Sequence, residues 1–377
     1  MSKKVFIGLS GGVDSSVSAC LLKQAANPKD FEKIFGRPAP EGFRGFDVVG
    51  VFIKVWEPPA ELLPIGCSWR DDRRDAMRVA ALLDIPFLTL DLETEYKQDV
   101  VDYMIAEYQA GRTPNPDVMC NRQIKFGAFY NWARERGADF VATGHYAQVK
   151  KNKEGIFELH MGVDQNKDQS YFLWTLSQAV LSHTMFPIGH LEKPKVRELA
   201  EKFKLPNADK KDSQGLCFVG QIDAKEFLQE FIDLKPGQVA NEAGEIIGTH
   251  DGVMFYTLGQ RQGFTITKKT PNDEPYFVVS KKVTENILIV SHHKLSDEVT
   301  NNQVSLKELN WNTGQTPDIE KTYQVRGRYR QALKPGHLSF NNILWQAQVD
   351  DLTEPLTPGQ SLVVYSDTQC LGGGVIV

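Results

Sequence analysis

Hydrophobic residues in the first 150 positions occur in short runs that alternate with amphipathic stretches. Strands are predicted for the runs KVFIGL, DVVGVFIKVW, IPFLTLDL and ADFVATGHYA. Helices are predicted for DSSVSACLLKQ, RRDAMRVAALLD, ETEYKQDVVDYMIAEYQAG and NRQIKFGAFYNWARERG; the first begins at Asp14, and the last two end at Gly111 and Gly137. This alternation predicts a Rossmann-like α/β domain, with a mostly parallel sheet covered by helices on both faces.

The pattern changes outside these runs. Residues 27–45 contain three prolines and three glycines and predict a surface insertion. Residues 165–220 are interpreted as helical, and 222–232 as a helix capped by Asp223 and Glu226. After Pro236, short alternating runs between turn residues predict two small β-rich modules or barrels. We therefore predict domains at 1–220, 221–295 and 296–377, the last a β-barrel.

Composition narrows the class of protein. With 377 residues, 41% of them hydrophobic and 24% charged, the chain has the profile of a soluble protein of several domains. The N-terminus runs directly into a predicted strand and no run is apolar enough to span a membrane, so we expect a cytoplasmic protein without membrane contact. The net charge of −5 means that any nucleic acid must bind a local basic patch. Five cysteines without a CxxC pair argue against a disulfide framework and against a bound metal.

The stretch GLSGGVDSS (8–16) lies between the first strand and the first helix. Backbone N–H groups at a helix N-terminus form an anion site, and Ser10, Ser15 and Ser16 would add hydroxyl donors. The stretch lacks the lysine of a GxxxxGK[ST] loop, so it suits holding a pyrophosphate leaving group during AMP transfer. The alternative is a tight turn in which the glycines only permit packing.

Two cysteines lie in electropositive sequence. Cys120 follows the proline-rich RTPNPDVM, which predicts a rigid exposed loop, and it precedes a helix whose N-terminus would stabilise a thiolate beside Arg122 and Lys125. Cys217 follows Lys210 and Lys211. The alternative for either is an inert buried thiol. Cys20 and Cys370 fit that alternative, and Cys67 could be of either kind, with a structural role preferred.

A basic stretch without acids is found near the C-terminus. It contains Lys321, Arg326, Arg328, Arg330 and Lys334, interleaved with Tyr323 and Tyr329. This pattern favours binding of phosphates and stacked bases, although RGRYRQ could also be a solvated strand face. KDQSYF could similarly be a helix start capped by Asp168 or Ser170.

The SGGVDSS stretch resembles the SGGxDS pattern of the pyrophosphatase-loop ATPases, which adenylate a substrate carbonyl oxygen. Ten blocks in order along nearly the whole chain resemble the bacterial tRNA-specific 2-thiouridylases: SGGVDSS, GRTPNPDVMCNRQIKF, ATGHYA, NKDQSYFLW, LEKPKVRELAEK, KKDSQGLCFVG, YTLGQRQG, RYRQ, TPGQS and CLGGGVI. The resemblance implies an adenine nucleotide alpha hydrolase-like domain. It also implies ATP with Mg²⁺, adenylation of the C2 oxygen of a wobble uridine, and sulfur transfer to C2.

The resemblance also implies site residues. ATP binding is carried over to Gly8, Leu9, Ser10, Gly11, Gly12, Val13, Asp14, Ser15, Gly144 and Ile53, which stands where the family has a methionine. Contact with tRNA is carried over to His145, Lys167, Asp168, Gln169, Arg328, Tyr329, Gln360 and, around the flipped base, Asn115, Pro116 and Asp117. Asp117, Cys120 and Cys217 are the catalytic residues, with a persulfide on Cys217 and a later Cys120–Cys217 disulfide. The partners implied are tRNA and a sulfur donor, either a relay protein or a cysteine desulfurase.

Two other functions are compatible with the same loop. One is another pyrophosphatase-loop enzyme, such as an amidotransferase-type ligase or a lysidine synthetase, which needs an amine source and no pair of cysteines. The other is a non-catalytic tRNA-binding protein, against which the presence of Asp14, Asp117, Cys120 and Cys217 argues. Release of pyrophosphate from ATP only in the presence of tRNA would distinguish a tRNA 2-thiouridylase from a non-catalytic tRNA-binding protein.

Overall fold

The computed structural model of the protein describes residues 2–58, 69–211, 224–268, 274–293 and 302–377. Cys67, Cys217 and the predicted cap Asp223 lie outside these residues. Within the described ranges, every helix is too short or too polar to cross a membrane.

Five strands form the sheet of the first half. They are β1 (Lys3–Gly8), β2 (Phe46–Lys54), β3 (Phe87–Asp91), β4 (Phe140–Ala142) and β7 (Thr184–Met185). They pair in parallel in the order β3-β2-β1-β4-β7. In the central strand β1, Val5 and Ile7 are buried in one hydrophobic cluster and Phe6 in another, as expected when successive side chains point to opposite faces. The predicted α/β domain with a parallel sheet is confirmed.

Ten α-helices are described, of which the last two follow the last strand of this sheet in the chain. They are α1 (Val13–Gln24), α2 (Pro28–Phe35), α3 (Trp69–Leu82), α4 (Glu93–Tyr96), α5 (Tyr103–Gln109), α6 (Pro116–Met119), α7 (Phe129–Glu135), α8 (Gln178–Leu181), α9 (Lys193–Lys202) and α10 (Ala224–Gln229). A π-helical stretch, Lys97–Asp102, joins α4 to α5, and a second, Cys120–Ala128, joins α6 to α7. Two long helices were predicted in these regions, and the second begins at Pro116 rather than at residue 121.

Three predictions about local structure need correction. Residues 27–45 are more than a surface insertion, because Asn27 caps α2 and Phe31, Phe35 and Phe43 are buried in the core. The strand predicted at 138–147 is interrupted after Ala142, where Gly144 lies against the first turn of α1. Residues 165–220 are less helical than predicted: in their described part, helix is confined to α8, α9 and a 3-10 turn, Ser170–Leu173.

Strands dominate the rest of the chain. A central five-stranded sheet contains β8 (Gly237–Asn241), β9 (Ile246–His250), β10 (Thr265–Ile266), β11 (Phe277–Lys282) and β12 (Ile287–Ser291), and a 3-10 turn, Val253–Phe255, follows β9. The C-terminal strands are β13 (Gln303–Trp311), β14 (Thr322–Arg326), β15 (Lys334–Phe340), β16 (Trp345–Val349), β17 (Ser361–Ser366) and β18 (Gln369–Ile376). Pairing of β13 with β18 closes these six strands into a barrel. The predicted β-rich modules and the terminal barrel are confirmed.

One hairpin of the first half joins the barrel sheet. Its strands are β5 (Ala147–Lys151) and β6 (Phe157–Met161). β6 pairs with β18 through Leu159 opposite Cys370 and His160 opposite Gln369. The first half and the C-terminal barrel therefore share an eight-stranded sheet, and the boundaries 1–220, 221–295 and 296–377 stay predictions.

Candidate functional site

The GLSGGVDSS loop lies at the carboxyl end of β1, where β1 ends at Gly8 and α1 begins at Val13. Gly11 has a φ of +76°, and a Cβ there would lie 2.2 Å from the carbonyl oxygen of Asp72. A Cβ on Gly144 would lie 2.7 Å from the amide nitrogen of Ser15. Glycine is therefore required both inside the loop and in the segment that covers it.

The three hydroxyls of the loop have different environments. Ser15 and Ser16 are buried, and each donates to the carbonyl of Gly12, at 3.1 and 2.8 Å. Ser10 is exposed, although its hydroxyl lies 3.2 Å from that of Ser15. Of the three serines, only Ser10 is exposed to a ligand in this structure, and donation by its hydroxyl to a ligand stays a prediction. The helix begins at Val13 rather than at Asp14, and its cap residue, Gly12, supplies no side-chain hydrogen bond to the first turn of α1.

Asp14 is held by two residues for which the sequence predicted no such role. The ammonium of Lys193 lies 2.8 and 3.0 Å from its two carboxylate oxygens. The hydroxyl of Tyr146 donates to one of the same oxygens at 2.9 Å. Lys193 lies within the block LEKPKVRELAEK and Tyr146 within ATGHYA, but only the fold brings the two segments together at the loop.

The other predicted nucleotide contacts surround the same strand end. Gly8 is paired with Val51, and half-buried Ile53 lies two residues further along β2, beyond the end of β1. Leu9 and Val13 are buried in the core, so they can present only their backbone. Asn207 donates to the carbonyl of Gly11 at 2.8 Å and was not predicted from the sequence. These residues lie beyond the carboxyl ends of β1 and β2, where ligands bind in parallel α/β folds.

Cys120 lies in a helix, not in the exposed loop that was expected. Asn115 caps this helix by accepting from the amide of Val118 at 3.2 Å, and Pro116 occupies its first turn. Cys120 follows in the second turn and is only 3% exposed, within the core beneath the sheet. Arg122, which was expected to support the thiolate, instead pairs with Glu308 of the barrel at 2.8 Å. Access to the thiol therefore requires this region to move.

The helix that contains Cys120 also packs close to the end of β1, the strand that leads into the GLSGGVDSS loop. A Cβ on Gly8 would lie 3.8 Å from the ring of Phe129 at the start of α7.

The two remaining described cysteines, Cys20 and Cys370, are buried, and burial raises the pKa of both to about 12. This agrees with the interpretation of Cys20 and Cys370 as inert thiols.

Gln360 faces inward rather than toward a partner. Its amide donates to the carbonyls of Thr113 and Pro114 at 2.9 and 3.0 Å, and the residue is only 9% exposed. The amide of Thr113 in turn donates to the carbonyl of Pro358 at 2.9 Å. The barrel therefore holds the segment that leads into Asn115, and the tRNA contact of Gln360 stays a prediction.

We expect Gln360→Leu to lower the free energy of unfolding by about 1–3 kcal/mol, because it leaves buried carbonyls without their donor. Urea denaturation measures the change, with Gln348→Leu on the exposed face of β16 as the control. Unchanged stability together with weaker tRNA binding would instead support the original assignment.

Two further predicted tRNA contacts have buried side chains. Asp168 accepts from the amides of Gly162 and Ser170, both at 3.1 Å, and pairs with Arg326 at 2.9 Å. His145 lies 2.7 Å from the Thr143 hydroxyl, and its burial, with a smaller effect of Lys125, holds its pKa well below the ordinary value. Asp168 thus accepts from the first amide of the turn Ser170–Leu173, although the cap position is Gln169 and not Asp168 or Ser170, the caps considered for KDQSYF. Neighbouring Lys167 and Gln169 are half-buried.

The basic stretch at 321–334 divides into interior and surface residues. Tyr323 is buried inside the barrel and Arg326 is buried against Asp168, so neither side chain is exposed to bind nucleic acid in this structure. Lys321 and Arg330 are exposed, and Arg328 and Lys334 are half-buried. The ring of Tyr329 packs 4.3 Å from that of Phe172. Tyr323 points into the barrel, whereas Arg326 lies on the opposite face of β14 and is covered by Asp168 of the first half, so both are lost from the predicted surface.

Comparison with known proteins covers nearly the whole chain. Three family models match: tRNA methyl transferase HUP domain at 3–35 and 42–221, tRNA methyl transferase PRC-barrel domain at 225–292, and aminomethyltransferase beta-barrel domain at 301–376. The chain is 43% identical over 374 residues to the tRNA-specific 2-thiouridylase MnmA of Lacticaseibacillus paracasei, covering 99% of this chain and 94% of that protein. It is also 43% identical over 376 residues to the protein of the same name from Nitrosomonas europaea, covering 99% and 98%.

Proposed function

The chain belongs to the tRNA-specific 2-thiouridylase family, and from that membership we propose that it replaces the C2 oxygen of the tRNA wobble uridine with sulfur. The observation that carries the proposal is the full-length similarity to relatives of that name. It is supported by the loop at the carboxyl end of β1, where the close packing at Gly11 and Gly144 requires glycine. A tRNA sulfurtransferase with ATP as co-substrate accounts for both.

We propose that ATP binds at residues 8–15, with Ile53 and Gly144 near its nucleoside and Mg²⁺ as its counter-ion. The uncapped first turn of α1 and the close backbone packing at Gly11 and Gly144 fit phosphate oxygens. Adenylation would convert the C2 oxygen of uridine, a poor leaving group, into AMP. Asn115, Pro116 and Asp117 would hold the flipped base, because C2 is inaccessible inside a stacked helix.

The sulfur steps are assigned to two cysteines. The terminal sulfur of a Cys217 persulfide would attack C2 and form the new carbon–sulfur bond as AMP leaves. The Cys120 thiolate would attack the Cys217 sulfur, and the electron pair of the broken sulfur–sulfur bond would remain on the uridine sulfur. The resulting Cys120–Cys217 disulfide must be reduced by an external thiol, and a relay protein or cysteine desulfurase must reload Cys217.

In the decisive experiment, the full chain is incubated with unmodified tRNA, ATP, Mg²⁺ and a cysteine desulfurase supplied with free cysteine as its substrate. Mass spectrometry of the digested tRNA should detect 2-thiouridine, and pyrophosphate should be released only when tRNA is present. A product containing an added amine would favour a ligase of the same superfamily. Unchanged ATP and tRNA would favour a non-catalytic tRNA-binding protein.

We expect Arg328→Ala to weaken tRNA binding and to reduce its salt dependence by roughly one counter-ion for each phosphate that the arginine neutralises. Arg328 is half-buried, and its guanidinium makes only long contacts, 3.5 Å to the Leu258 carbonyl and 3.4 Å to the Thr357 hydroxyl. Filter binding across a salt series measures both quantities, and Lys29→Ala removes the same charge from the solvent-exposed side of α2 as a control. An unchanged salt slope would remove Arg328 from the tRNA surface.

A further inference from the structure

The GLSGGVDSS loop contains no basic residue and contains one carboxylate. Asp14 lies in the first turn of α1, where the helix dipole favours anions. Its charge would repel a phosphate bound at the same N-terminus unless a cation compensated for it. A positive partner for this loop must therefore come from elsewhere in the fold.

Lys193 is such a partner and is rigidly placed. Its ammonium bridges both oxygens of Asp14 at 2.8 and 3.0 Å, and its side chain is 12% exposed. Its backbone amide donates to Asp164 at 3.0 Å where α9 begins. Val196 of α9 and Val17 of α1 belong to one buried cluster, so the two helices keep Lys193 beside the loop.

A second lysine near the loop is less suited to this role. Lys210 contacts Asp72 and Asp75 of α3 at 2.7 and 2.8 Å. Asp75 also lies 3.6 Å from the Arg78 guanidinium, so Lys210 belongs to an ion-pair network with α3 rather than to the loop. Lys193 instead contacts the carboxylate of Asp14, part of whose charge is already stabilised by the hydrogen bond from the Tyr146 hydroxyl.

We propose that Lys193 is the phosphate-binding cation of this loop, which Asp14 and Tyr146 hold in place for the pyrophosphate part of ATP. The inference rests on the proposed function, since it assumes that the loop binds ATP. A lysine ammonium is a compact point charge that commonly binds phosphate. The fold thus supplies from α9 the lysine that the loop sequence lacks.

Calorimetric titration of the full chain with inorganic pyrophosphate and Mg²⁺, without tRNA, tests the proposal. We expect Lys193→Met to weaken pyrophosphate binding by about tenfold or more, and Lys193→Arg to weaken it less because it keeps the charge. Lys195→Met is the matched control, since Lys195 lies on the same helix, is half-exposed and pairs with Glu198. Equal melting temperatures of these variants would exclude a folding defect.

The same substitution in the Asp14→Asn protein distinguishes two roles of Lys193, direct phosphate binding and neutralisation of the Asp14 charge. If Lys193 contacts phosphate, Lys193→Met should weaken pyrophosphate binding in the Asp14→Asn protein as well. Full recovery of affinity in the double variant, or normal affinity in Lys193→Met alone, would overturn the proposal. Failure of the proposed function would be recognised separately, as wild-type protein that binds pyrophosphate and ATP yet forms no 2-thiouridine.

Discussion

Cys120→Ser is expected to abolish 2-thiouridine formation while tRNA is still adenylated and Cys217 still accepts sulfur. In the proposed chemistry, Cys120 only releases sulfur from a partner that is already loaded, and a serine hydroxyl cannot replace a thiolate in that step. Cys217→Ser should fail earlier, without any persulfide. Both variants should still release pyrophosphate in the presence of tRNA, because neither side chain belongs to residues 8–15.

Mass spectrometry of each variant after incubation with sulfur donor, ATP and tRNA distinguishes these outcomes. Cys370→Ser is the matched control, because Cys370 is a buried thiol of the barrel whose pKa burial raises to about 12. Normal thiolation by Cys120→Ser, or a persulfide found on Cys120 itself, would refute the assigned roles.

The burial of Cys120 limits the access of its thiol to the proposed Cys217 persulfide. A thiol that is 3% exposed in a hydrophobic cluster cannot meet a persulfide without rearrangement. Disulfide formation needs Cα atoms within about 7 Å. The helix after Asn115 is held from one side by its cap and from the other by the Arg122–Glu308 pair. The proposed transfer through Cys120 therefore requires this region to rearrange until the thiol is accessible.

The sequence predicts the sheet and the nucleotide loop well because both depend on local signals. Apolar runs such as Val5 to Ile7 determine the strands, and the SGG turn at a helix start has a specific conformational requirement at Gly11. The Phe31 helix was missed because the prolines and glycines around it obscured its apolar face. Local pattern is sufficient where a residue acts through its own segment.

Contacts between distant segments could not be predicted in the same way. Asp14 and Lys193 are 179 positions apart, and Gln360 and Thr113 are 247 apart. No periodicity connects such pairs, so the contact of Lys193 with Asp14 was missed and the internal hydrogen bonds of Gln360 were not foreseen when the resemblance assigned it to tRNA. Several residues that the resemblance singled out, among them Gln360 and Asp168, have buried side chains in the structure.

Arg326 gives the clearest case of this difference, and its replacement should have a large effect on stability. We expect Arg326→Met to lower the free energy of unfolding by about 3–5 kcal/mol, because Asp168 then retains a buried charge without its cation. The side chains of Arg326 and Asp168 are 6% and 0% exposed, and the guanidinium also lies 4.8 Å from the ring centre of Tyr365. Three remaining donors, the amides of Gly162 and Ser170 and the Ser170 hydroxyl, would only partly compensate.

Two controls make the Arg326 result specific. Arg74→Met breaks an exposed pair with Asp71, whose side chains are 60% and 51% exposed, and should cost at most about 1 kcal/mol. The double variant Arg326→Met with Asp168→Asn should recover part of the lost stability, because it removes the unpaired charge along with its partner. Urea denaturation gives the stabilities, and filter binding gives the tRNA affinity of the folded proteins. If Arg326→Met weakened tRNA binding with no loss of stability, the arginine would act at the tRNA surface, as the basic pattern of RGRYRQ had indicated, and not as the buried link between the barrel and the Asp168 turn.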